Sequence, residues 1–256
     1  MADICATVTH IPMEKNQLID KLFQVGAHFG YGPSRRHPSL KSFIFGAKGG
    51  TEIFDLEKTA ESLTDALVFV QKLASERKVI LFVGGKAEAR GAVKRIAERL
   101  NQPYVASRWI GGSLTNFSEI RKRLAHLADL TEKREKGELS KFTKRERLLI
   151  DREIADLEAM FGGLRGIQKL PDALVIVDPR HEQGAVEEAK LLRVPIVALM
   201  NSDCDRAGVA FPIPGNDASI ASINLILDEI AKTYEAHLAP AVAPATPSEE
   251  VLPEIR

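Results

Sequence analysis

Three short, wholly apolar runs constrain this chain most: VILFV (Val79–Val83), ALVIV (Ala173–Val177) and IVALM (Ile196–Met200). A run without polar alternation suits a strand covered on both faces, as strands inside a parallel sheet are. Stretches of helical period surround these runs. Leu63, Leu67, Val70 and Leu73 share one face of Leu56–Ala74, Lys86–Leu100 follows the first run, and Glu182–Leu192 separates the second from the third. Asn216–His237 carries Ile220, Ile223, Ile226, Leu227 and Ile230. Strand–helix alternation with right-handed crossovers predicts an open, doubly wound, mostly parallel α/β sheet. FIFG (Phe43–Gly46) and PYVA (Pro103–Ala106) are read as further strands.

One crossover is too long. Residues 107–172 separate PYVA from ALVIV, where a parallel connection needs about a dozen residues or more. Phe117, Ile120, Leu124 and Leu127 are spaced three, four and three apart, and Ile150, Ile154, Leu157 and Phe161 repeat the narrow stripe. That alternation is the seam of a coiled coil. A helix lying flat on a sheet shows a wider apolar face. Gly137 sits in the link, and Thr143–Glu146 (TKRE) is a capping box that starts the second helix. The sequence therefore predicts an inserted antiparallel coiled-coil hairpin over 116–161, with arms of about 20 residues reaching about 30 Å. The α/β body would comprise 14–115 and 162–238, with 1–13 a flexible N-terminus. The Pro- and Ala-rich segment 239–256 buries too little apolar surface to order itself and is expected to be disordered.

Composition excludes little. The apolar share of 45% is that of a soluble globular protein. Thirty-five basic side chains balance 35 acidic ones, so any case for nucleic acid must rest on where charge lies. The opening MADICATVTHIPMEK lacks the layout of a secretory or transit signal, and no apolar run approaches the ~20 residues that span a bilayer. With Cys5 and Cys204 far apart, a reducing, cytoplasmic setting is expected.

The motifs that might carry chemistry fall short of it. VGGKAEARG (Val83–Gly91) has the position of a nucleotide loop, but Ala87 follows Lys86 and the glycine spacing fits neither a P-loop nor a dinucleotide fingerprint. Asp178 with Pro179 reads as a helix start, cap then proline. The acids of NSDCD (Asn201–Asp205) read as turn residues. The six histidines never pair at the spacing of a helical metal site. The sequence thus offers no catalytic residue, no cofactor site, no metal ligand and no small-molecule substrate. The rival reading is a nucleotide- or sugar-phosphate-binding enzyme with a site near Gly84–Lys86, Asp178 and Asn201–Asp205.

Local charge is more telling. From Lys21 to Thr51 there is no acid, and the irregular loop His28–Phe43 mixes aromatics with Arg35, Arg36 and Lys41, followed by Lys48. Such loops meet RNA phosphates and unpaired bases, although a merely solvated basic loop has the same composition. The hairpin adds Arg121, Lys122 and Arg123 near its base and Lys144 and Arg145 near its tip. In RWIGGSLTNFSEIRKR (Arg108–Arg123), Gly111 and Gly112 permit a tight turn, Asn116 with Glu119 offers a cap, and free N–H groups beside Arg108 favour an anion. The turn's first role is to aim the hairpin, with phosphate binding second.

The segments GAHFGYGPSRRHP, FIFGAKGGTEIFDLEKT, RWIGGSLTNFSEIRKR, LPDALVIVDPRHEQGAVEEAKLLRVPIVAL and NSDCDRAGVAFPIPGNDASIASINLI closely resemble small-subunit ribosomal protein two of bacterial type, in order over Glu14–His237. The resemblance implies a flavodoxin-like body with a coiled-coil hairpin and a non-enzymatic role in translation. It implies binding of small-subunit rRNA through both parts, with neighbouring small-subunit proteins as partners, ribosomal protein one docking nearby, and no membrane. The chain departs from the family pattern at Tyr31, Arg36 and Arg206, where His, Trp and Pro are usual. Those changes bear on loop contacts.

Overall fold

The structure, a computed structural model, describes residues 15–238, so the expectations for 1–13 and 239–256 lie outside the described residues. Five strands build a parallel sheet: β3 (Ile80–Val83), β4 (Tyr104–Val105), β5 (Ala173–Val177), β6 (Ile196–Met200) and β7 (Phe211–Pro214). They lie in the order β4-β3-β5-β6-β7, every pairing parallel. Counted within this sheet the order is 2-1-3-4-5, compatible with a flavodoxin-like fold, and it places the topological switch point between β3 and β5.

Period-two geometry explains the apolar runs. Phe82, Val175, Val177, Val197 and Leu199 face one cluster, made with the helices α1 (Lys15–Gln24), α2 (Leu56–Ser75), α3 (Ala87–Arg99) and α7 (Ile220–His237). Leu81, Val83, Leu174, Ile176, Ala198 and Met200 face a second cluster that includes Ala185 and Ala189 of α6 (Gln183–Leu191). Both faces are covered, so neither can tolerate polar alternation.

Two strand assignments differ from the sequence reading. Phe43–Gly46 does not join the large sheet: β1 (Ile44–Lys48) pairs antiparallel with β2 (Thr51–Phe54) in a hairpin of its own. Gly49 and Gly50 take φ of 60° and 79°, the left-handed pair that a two-residue hairpin turn needs. β7 was not predicted, because FPIP contains two prolines; as the last strand it is an edge, where a missing N–H is tolerated.

Helices α4 (Phe117–Glu135) and α5 (Lys144–Phe161) occupy the long crossover and pack chiefly on each other. Ile120, Leu127, Leu130, Ile154, Leu157 and Phe161 are buried, with Leu124 and Ile150 partly so. His126 Nε2 meets Glu153 Oε1 at 3.0 Å between the helices. Gly137 takes φ 71° in the link, and Thr143 and Glu146 form the expected capping box.

Candidate nucleic-acid interface

The C-terminal ends of the sheet strands are where an α/β fold of this kind would hold a small ligand. Here the chain fills that place itself. Lys86, just after β3, sends Nζ to within 3.0 Å of Asp217, 3.4 Å of Asp178 and 3.3 Å of the Tyr31 hydroxyl. Asn201 Nδ2 donates to the other oxygen of Asp217 at 2.7 Å. Burial works against the Lys86 charge, but Asp217 and Asp178 outweigh it and hold its pKa above the ordinary value. Burial, and then Asp178, pushes Asp217 up to about 6. Asp178 stays below the usual carboxylate value: burial opposes ionisation, and the His181 N–H and Lys86 overcome it. Burial also pushes the Cys204 thiol up, which leaves it a weak nucleophile. The residues of the rival enzyme reading do come together, but as a plug in which Lys86 is committed to two carboxylates of the chain itself.

Both glycine turns are likewise closed by carboxylates of the chain. Gly85 N–H donates to Glu182 Oε1 at 2.9 Å, and a Cβ on Gly85 would stand only 2.6 Å from the Ser107 carbonyl oxygen. Asp178 is not the helix cap expected of it. It adopts φ 61°, its carboxylate accepts the His181 N–H at 3.1 Å, and α6 begins later, behind Glu182.

In the Arg108–Arg123 stretch the anion favoured by the turn is Glu188 of α6, buried under the turn. It accepts five hydrogen bonds: from Trp109 Nε1 at 3.0 Å, Gly112 N at 2.8 Å, Leu114 N at 2.9 Å, Thr115 N at 3.0 Å and Thr115 Oγ1 at 3.2 Å. Burial opposes its ionisation, but the Thr115, Trp109, Leu114 and Gly112 N–H groups outweigh it and hold the carboxyl below its ordinary pKa. This corrects the expectation of a phosphate on those backbone groups. It also corrects the cap: Asn116 stands at the N-cap position of α4 without a side-chain cap bond.

The predicted cations fall into three groups. In the first loop, Arg35 lies 4.1 Å over the Tyr31 ring and pairs with Asp203 at 3.1 Å, its side chain still 54% exposed. Arg36 is turned inward to Glu52, at 2.8 Å, whose side chain is 1% exposed. Lys41 and Lys48 are exposed. At the start of α4, Arg108, Arg121, Lys122 and Arg123 are all exposed, with Lys122 paired to Glu119 at 2.6 Å. Lys144 and Arg145 stand exposed in the first turn of α5. The sequence reading missed Arg180, which reaches Asp203 at 2.6 Å and so shares that carboxylate with Arg35. It missed Glu188 as well. The available signal was a carboxylate among Ala185, Val186 and Ala189 on the buried face of α6.

The family described as Ribosomal protein S2 matches residues 22–236. The small ribosomal subunit protein uS2 of Dictyoglomus thermophilum is 42% identical over 214 residues, covering 84% of this chain and 87% of the relative. That of Roseiflexus castenholzii is 44% identical over 210 residues, covering 82% and 80%. That of Chloroflexus aurantiacus is 41% identical over 213 residues, covering 83% and 90%. On the extent of these matches, the chain belongs to the ribosomal protein S2 family.

Proposed function

We propose that the chain grips small-subunit rRNA with cationic side chains on its body and on a projecting arm. Family membership makes it a structural component of the small ribosomal subunit and not an enzyme. The arm is the antiparallel coiled-coil hairpin 116–161, and the body is formed by 14–115 with 162–238. Arg35, Lys41 and Lys48 meet phosphates from the first loop, Arg108 with Arg121, Lys122 and Arg123 at the arm's root, and Lys144 with Arg145 near its far end. Arg36, committed to Glu52, holds the loop in shape. Neighbouring small-subunit proteins, ribosomal protein one among them, complete the surroundings on the cytoplasmic ribosome.

One observation carries this reading. The two glycine turns that the sequence offers to an anion donate to the chain's own carboxylates, Glu182 and Glu188, while most of the predicted cations remain exposed. Binding is thereby left to side chains, which position a nucleic-acid backbone without reading its sequence. If about five phosphates are met, log affinity for an rRNA fragment falls against log salt with a slope near −4, about 0.7–0.9 per phosphate. A salt titration with a flat response contradicts the proposal.

A further inference from the structure

The direction of the arm must be set by something other than its own first turn. Asn116 makes no side-chain cap bond, so α4 lacks the local anchor that commonly fixes a helix start. Immediately before it, residues 109–115 wrap a single carboxylate. Every group facing Glu188 there is a donor: one indole N–H, three backbone N–H groups and one hydroxyl. A carboxylate is acceptor-only, so donor nest and acceptor match. Glu188 stands on a packed face of its helix, with Ala185 and Ala189 beside it fully buried against the sheet. Gly184 of the same helix leaves room for the indole: a Cβ there would stand 3.1 Å from Trp109 Cδ1. At its other end the arm returns through Phe161 and Leu164, buried in the same cluster as Trp109 and Leu114.

We infer that Glu188 is the positioning residue of the rRNA-binding arm, an internal anion that takes the phosphate's place in the Gly-Gly nest and fixes the angle at which α4 leaves the body. The inference rests on the reading above that α4 and α5 form an arm directed at rRNA. Its leverage is large. The 19 residues of α4 span about 28 Å at 1.5 Å per residue, so a rotation of about 20° at the root carries the far end through about 10 Å. Glu188→Gln keeps the size but presents NH2 donors to a nest of donors, and one hydrogen-bond face of the cradle is lost. Glu188→Asp keeps the charge and withdraws it by one methylene.

The test measures the angle without RNA. Spin labels are placed on Lys72→Cys of α2 and Arg134→Cys of α4, both exposed, in a Cys5→Ser, Cys204→Ala background. A control pair on Lys72→Cys and Lys94→Cys reports the body alone. Glu188→Gln is expected to shift or broaden the body-to-arm distance by several ångströms while the control distance stays unchanged. Glu188→Asp is expected to do so to a smaller extent, and it decides the matter if the Gln variant does not fold. A body-to-arm distribution identical to the parent in a folded variant overturns the inference, whatever the change in melting temperature. The same variants are then titrated with an rRNA fragment. An arm that moves with no loss of RNA affinity supports the role of Glu188 and counts separately against the RNA reading of the arm.

Discussion

Arg35 and Arg36 are adjacent and chemically identical, yet their surroundings predict opposite phenotypes. Among the described residues, Arg36 is the sole side-chain partner of Glu52, whose Oε1 it meets at 2.8 Å and whose buried Oε2 has no partner there. Arg36→Ala leaves that carboxylate uncompensated in a site where its side chain is 1% exposed. Removing one member of a buried pair costs about 3–5 kcal/mol, and the partial exposure of Arg36 argues for the lower end, about 3 kcal/mol. In a domain of this size each kcal/mol lowers the melting temperature by about 2–4 °C, so a fall of about 6–12 °C is expected. Arg35→Ala is different. Arg35 is half exposed, and Asp203 keeps Arg180 at 2.6 Å, so the cost is expected below about 1 kcal/mol. Affinity for rRNA should reverse the order once both variants are folded, with Arg35→Ala losing a phosphate contact and Arg36→Ala losing little. The double substitution Arg36→Met with Glu52→Leu removes both charges and should recover most of the lost stability. Thermal melts followed by circular dichroism measure all of these. If Arg36→Ala melts within about 2 °C of the parent, the reasoning from burial fails.

Three further outcomes follow from the same geometry. Thr143→Ala removes half of the capping box and should cost about 1 kcal/mol, seen as faster amide exchange confined to the first turn of α5. In the Lys86 cluster the two carboxylates should titrate in separate steps, Asp217 near 6 and Asp178 below the ordinary value. Lys86→Met should push Asp217 higher still, because Lys86 pulls its pKa down; carbon-detected NMR of the carboxyl carbons reads this directly. Glu188 has a depressed folded-state pKa, so the stability it contributes is full above its unfolded value of about 4.3 and disappears as pH falls through the folded value. Glu188→Gln should therefore flatten the acid limb of stability against pH, measured by urea unfolding from neutral pH downward.

How much of this was legible in the sequence depended on whether the cause was local. The helices Leu56–Ser75 and Lys144–Phe161 and the three apolar strands were readable because periodicity and capping are written within a few residues. The two helices of the long crossover were readable because apolar residues recur there every three or four positions. β7 escaped because its two prolines forbid an interior strand, and only its edge position, a property of the whole sheet, permits them. β1 was legible without its partner because only the Gly49–Gly50 pair, with its left-handed backbone, marks the short hairpin that joins it to β2. The ligand-like features failed for a different reason. Lys86 and Asp217 are 131 positions apart, and Glu188 lies 74 positions beyond Leu114. No spacing rule joins such residues; only the topology does. A glycine turn before a helix is an invitation to an anion, and the sequence could not say that the anion would be the chain's own. The same blindness affected Arg36, whose acidic partner Glu52 lies just beyond the acid-free stretch that made the loop look uniformly basic.

The most direct test of the rRNA grip is photo-crosslinking within assembled small subunits, with a photoreactive residue replacing Arg35, Arg123 or Arg145 in turn. The account predicts crosslinks to rRNA from all three positions, because loop, root and far end of the arm each face the nucleic acid. Crosslinks from all three to protein alone would contradict it.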